Sequence, residues 1–74
     1  MSAVSSVVVF ITAATEAEAH RIAEFLLTQK KAACVNIVPG VDSHFWWQGK
    51  LDSAQERLLI VKTIAALLPE IIDF

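Results

Sequence analysis

Trp46 and Trp47 stand side by side at the end of an extended run, "VDSHFWW" (41–47), just before the turn-forming "QGK" (48–50). Successive residues of a strand face opposite ways, so the two indoles cannot share one side of a sheet. After the turn, "RLLIVKTI" (57–64) returns with the aliphatic and β-branched residues that strands favour. The pattern points to a long hairpin carrying large apolar rings on both faces. A fully buried Trp removes roughly 200 Å² from water, and at about 25 cal/mol/Å² that is at most ~5 kcal/mol per ring before ordering costs. Two wet rings forfeit an energy comparable to the whole stability of a small domain. With 74 residues, 55% of them hydrophobic and 19% charged, the chain has too little interior to hide so much apolar surface. The surplus points to a partner subunit or to further chain.

Several classes are excluded. The apolar runs, Val7–Ile11 and Leu58–Val61 among them, fall far short of the ~20 residues that cross a bilayer. "VVVFI" is too short for a signal-peptide core and no Lys or Arg precedes it, so the expected location is cytoplasmic, with no membrane partner. The net charge is −2 and the six basic residues are scattered, which argues against a nucleic-acid partner. One cysteine excludes an internal disulfide and a cysteine-rich zinc site.

The remaining segments fall into place around the hairpin. "SSVVVFIT" (5–12) has no polar alternation, as in a strand covered on both faces. "TEAE" (15–18) is a capping box, with Thr15 as N-cap and Glu18 three positions on. From it Ala19, Ile22, Ala23, Leu26 and Leu27 form one apolar helical stripe. Glu16 and Glu18 suit the positive end of the helix dipole, and Lys30 and Lys31 its negative end. "AACVNIV" (32–38) is a second strand, with Cys34, Asn36 and Val38 on one face and Ala33, Val35 and Ile37 on the other. Pro39-Gly40 marks a bulge or bend, beyond which Val41, Ser43, Phe45 and Trp47 share a side. "SAQE" (53–56) also satisfies a capping box, so local rules leave helix and strand both open for residues 53–64. "LLPEIIDF" (67–74) starts a helix, with Pro69 tolerated in its first turn.

The order β-α-β-β-α, with no phosphate-binding motif, points to a ferredoxin-like α+β domain. "AACVNIVPG", "WQGK" and "LLIVKT", in that order and spacing, closely resemble the CutA family of divalent-cation tolerance proteins, over Val7 to Phe74. The resemblance implies a ferredoxin-like antiparallel sheet with a long hairpin, a homotrimer, and kinship with the PII signalling proteins. It implies strand for residues 53–64, and it has neighbouring subunits cover much of the Trp46–Trp47 region. It also implies that residues 1–74 are a single domain, incomplete at the C-terminus, with Phe74 inside a helix that continues. In the family, metal binding is linked to histidines beyond the position matching Phe74 and, in some members, to a first-strand cysteine. The matching first-strand position here is Ile11, so no ligand is carried over.

Candidate chemistry is sparse. Reactive thiols need a nearby cation, base or helix N-terminus, whereas Cys34 is flanked by Ala33 and Val35 and reads as a buried packing residue. Cys34 and His44 are the secondary candidates for a soft or borderline cation such as Cu²⁺; no metal is expected to be needed for folding. His20 reads as solvated on the helix. Asn36 and Lys62 are polar on otherwise apolar strands, and are expected either to make ordinary sheet-edge hydrogen bonds or, with Trp46 and Trp47, to line a trimer interface or cleft. Asp52 and Glu56 read as a solvated charged loop. The function expected is a trimeric cation- or small-ligand-binding scaffold in divalent-cation (copper) tolerance or signalling. The alternative is a trimeric anchor module without a ligand of its own. No acid–base pair, triad or cofactor motif favours an enzyme.

Overall fold

In the computed structural model of the protein, residues 5–72 are described. The expected continuation of a helix through Phe74 lies outside them. The order is β1 (Ser6–Ala13), α1 (Glu16–Thr28), β2 (Cys34–Trp47), β3 (Lys50–Ile64), a 3₁₀ turn (Ala65–Leu67) and α2 (Leu68–Ile72). The sheet order is β1-β3-β2, antiparallel at both pairings. β1 and β2 therefore run parallel with β3 between them, and α1 is the crossover of a split β-α-β unit. This is the α+β, ferredoxin-like arrangement expected from the sequence.

Residues 53–64, open to helix or strand by local rules, are strand along their whole length. Leu58–Val61 pairs with β1 on one side and β2 on the other, so two ladders of backbone bonds outweigh the local helix-start signal at Ser53.

At the start of α1, Thr15 is the N-cap and its hydroxyl oxygen accepts from the Glu18 N–H at 3.1 Å, as the capping box predicts. The other end is closed by a device the sequence did not announce. The Lys30 N–H donates to the Leu27 carbonyl at 3.1 Å and the Lys31 N–H to that of Leu26 at 2.8 Å. This is a Schellman cap, with Lys30 at φ +57° in the left-handed position that glycine usually takes.

α1 covers one face of the three-stranded part of the sheet. Ala13, Ala19, Leu26, Leu59, Val61 and Ile71 are the buried core, with Val9, Ile11, Ile22, Val35 and Ile37 packed against it. Leu27, predicted to belong to the stripe, is 42% exposed, because it sits at the margin of the face that the sheet can reach. Thr63 is buried within this layer, where its hydroxyl donates to the Lys31 carbonyl at 2.7 Å. Lys31 pairs in turn with Glu70 of α2 at 3.5 Å. These links fasten the loop after α1 to both β3 and α2.

Past the core, β2 and β3 go on alone. Val38 pairs with Leu58 but Val41 with Glu56, so β2 carries one extra residue at the predicted Pro39-Gly40 bulge, with Gly40 at φ +71°. The hairpin closes at Gln48-Gly49, both at positive φ (50° and 76°), between the paired Trp47 and Lys50. That is the geometry of a two-residue type I′ turn. The arm makes the molecule long: its principal extents are 52 × 24 × 19 Å and its radius of gyration is 14.3 Å, against roughly 11 Å for a compact chain of this length.

Candidate functional site: the open sheet face

The face of the sheet turned away from α1 has no covering layer among the described residues. Register fixes what it displays. Val8, Lys62 and Cys34 stand in one row across β1, β3 and β2; Phe10, Ile60 and Asn36 in the next; Thr12, Leu58 and Val38 in the third. Phe10 is 67% exposed and Val8 52%, although their strand reads as covered on both sides. An exposed apolar face of this kind marks a surface for something to sit on.

Three of the predicted site residues are brought together here. Cys34 and Lys62 are direct cross-strand partners, and the Cys34 thiol lies 3.8 Å from the Asn36 side-chain oxygen, which it can donate to. Cys34 was expected to be buried and is only half-buried. The reason is the sheet face it occupies: its alternation places it opposite Val35 and Ile37, the residues that meet α1. Asn36 and Lys62 are exposed on the same face.

The other candidates lie elsewhere. His44 is on the arm opposite Ser53, ten positions from Cys34 along one strand (34 to 44), or about 30 Å at ~3.3 Å per residue. His20 is exposed on α1, 3.9 Å from Glu16. Among the described residues no group of three His, Cys, Asp or Glu side chains gathers where one cation could be held, so the donor set of a single chain does not fit a closed cation site. On the arm, Asp42 accepts from the Gln55 side chain at 3.3 Å and Asp52 from the Ser53 N–H at 2.7 Å, while Glu56 is half-buried opposite Val41.

Trp46 and Trp47 are 71% and 61% exposed. Trp46 faces Leu51 across the hairpin and Trp47 faces Lys50, so the two rings project to opposite sides, as strand alternation requires. The exposed surface totals 5458 Å², against roughly 4,500 Å² for a compact monomer of this mass. The excess of about 1,000 Å² is of the size that one partner contributes to a stable protein interface.

Sequence reasoning missed two features. Phe10 and Val8 read as interior, because an unbroken apolar strand gives no sign that one of its faces is open. Lys30, read only as a helix-end cation, also lines a cavity with Lys62 at the end of the sheet. Neither chain proximity nor periodicity links positions 30 and 62; only the pairing of β2 with β3 does. Among the described residues, no helix is long and apolar enough to cross a membrane.

The CutA1 divalent ion tolerance family matches residues 7–74. "Protein CutA 1, chloroplastic" of Oryza sativa subsp. japonica is 46% identical over 65 residues, which is 88% of this chain and 37% of that protein. The "Divalent-cation tolerance protein CutA" of Archaeoglobus fulgidus is 49% identical over 65 residues, 88% of this chain and 63% of that one. Among solved structures, CutA1 from Oryza sativa superposes with a TM-score of 0.93 at 43% identity, over 95% of this chain and 64% of its own. The CutA1 of Thermus thermophilus does so with a TM-score of 0.87 at 44% identity, over 92% and 66%. The chain thus spans between 37% and 63% of the length of these two curated relatives.

Proposed function

The chain belongs to the CutA1 divalent ion tolerance family, and from that premise we propose that it serves in tolerance of divalent cations, copper among them, as a homotrimeric scaffold. The observation that carries the assembly is the open sheet face together with the exposed tryptophan arm. Phe10 and Val8 on the face, and Trp46, Trp47 and Leu51 on the arm, are large apolar side chains left more than half exposed, on a chain whose total exposed surface exceeds that of a compact monomer. A three-fold ring disposes of both: each subunit's arm lies along a neighbour's sheet, and the ring closes without a free end. In such a ring Cys34, Asn36 and Lys62 stand at or beside a subunit seam, where a small ligand would meet one thiol, one amide and one ammonium from each chain.

The cation part rests on the family. No described residue of one chain is assigned to a cation, and no chemical step is assigned to the protein. Relatives are named for different places, one chloroplastic and one, as a crystal structure, periplasmic. For this chain the proposed location is the cytoplasm.

Two measurements on one sample test the proposal. Sedimentation equilibrium at micromolar concentration is expected to return three times the chain mass. Calorimetric titration with Cu²⁺ is expected to give saturable binding at one site per subunit. Trimer without binding would leave an anchoring module and remove the cation role, whereas a monomer would remove the scaffold itself.

A further inference from the structure

Where the ends of the three strands meet the C-terminal end of α1, a cavity of about 540 Å³ opens. Its walls are mainly apolar, with Val7, Val8, Ala33 and Leu67 among them; among the described residues its charged lining is Lys30 and Lys62, with no Asp or Glu. The volume lies within the range of small-molecule sites, which are mostly apolar with a few placed polar groups.

The two ammonium groups are available. Lys31 next door is held by Glu70 at 3.5 Å. Among the described residues, neither Lys30 nor Lys62 has a carboxylate at ion-pair distance. Lys30 is held in a left-handed backbone pose at φ +57°, a position where glycine costs less; the sequence keeps a cation there at some cost. The end of α1 is the negative end of its dipole and by itself opposes an anion. That opposition is reduced because the carbonyls of Leu26 and Leu27 are capped by the Lys31 and Lys30 N–H groups.

We infer that this cavity binds a small organic monoanion, an apolar body of up to about ten atoms bearing one carboxylate. The apolar walls take the body, and the ammonium groups of Lys30 and Lys62 take the carboxylate. A phosphate fits worse, because phosphate sites draw on free backbone N–H groups at a helix N-terminus. Here the helix end is C-terminal, and the N–H groups of Ala33 and Ala65 are already bonded to Lys62 and Ser5 carbonyls. The inference goes beyond cation tolerance, and it requires that the sheet end at Val8 and Lys62 stay open in the assembly.

The probe is hexanoate, titrated into the ¹⁵N-labelled full chain and followed by amide shifts, with hexanol and hexylammonium as matched controls. Saturable shifts are expected at Val7, Val8 and Ala33 with hexanoate, and binding at least about tenfold weaker with hexanol, the range a charge-assisted contact supplies. Lys30→Gln and Lys62→Gln are each expected to weaken hexanoate about tenfold. Lys30 lies away from the open face, so its variant reads the loss of charge without disturbing any contact made there. Equal affinity for hexanoate and hexanol, unchanged affinity in Lys30→Gln, or no saturable shift at those three amides would each overturn the inference.

Discussion

β2 and β3 are the same two strands on either side of the Pro39-Gly40 bulge, yet they meet different conditions. From Leu58 to Lys62, β3 has a partner on each side and α1 across one face, and Leu59 and Val61 are fully buried. From Lys50 to Glu56 it has, among the described residues, β2 alone, no helix above it, and not one buried position. A two-stranded ribbon is at best marginally stable in water, and this one adds two exposed tryptophans. The inner half is held by its own chain. The arm is shaped by its own chain, through the bulge and the type I′ turn, but no surface among the described residues holds it.

Truncating one residue in each half separates the two conditions. Leu59→Ala removes a fully buried side chain at the centre of the sheet and is expected to lower unfolding free energy by about 2–5 kcal/mol, measured by denaturant titration. Trp46→Ala is expected to leave the fold of a single chain intact and to weaken assembly instead, by at least about 2 kcal/mol if the ring fills a central interface pocket. Circular dichroism and sedimentation on the same variant read the two effects separately. A Trp46→Ala chain that unfolds as readily as Leu59→Ala would erase the distinction between core and arm.

Smaller effects test the inner half alone. Thr15→Ala removes the oxygen that caps the Glu18 N–H and is expected to cost about 1 kcal/mol, seen as a lower denaturation midpoint with no change in assembly. Lys30→Gly relieves the left-handed backbone at the helix end and is expected to stabilise by about 0.5 kcal/mol, while removing one of the two cations of the sheet-end cavity. Loss of stability in Lys30→Gly would mean that the lysine side chain supports the fold there.

The elements were legible where a local rule acts alone. Thr15 and Glu18 announce the start of α1, Pro39-Gly40 the bulge, and Gln48-Gly49 the turn. Where tertiary pairing decides, the residues were silent or divided. "SAQE" carries a helix signal that two strand ladders override. The C-terminal cap of α1 was invisible because Lys30 stands where glycine would have marked it. Asn36 and Lys62 drew notice as polar residues on apolar strands, and the sheet does bring them to one face. Their neighbour Cys34 was expected inside and is half-exposed, since which side of β2 meets α1 follows from register and not from the apolar content of the strand.

The central claim is that the arm is completed by other copies of the chain. Trp46 and Trp47 are the only tryptophans in the sequence, so their fluorescence reports on the arm alone. Emission recorded along a dilution series, with the mass at each concentration fixed by sedimentation equilibrium, measures both sides of the claim together. Blue-shifted emission while the mass is that of a trimer, moving to the red as the mass falls to one chain, is the result expected. Emission characteristic of water-exposed indole in a stable trimer, or a monomer throughout with no change in emission, would contradict it.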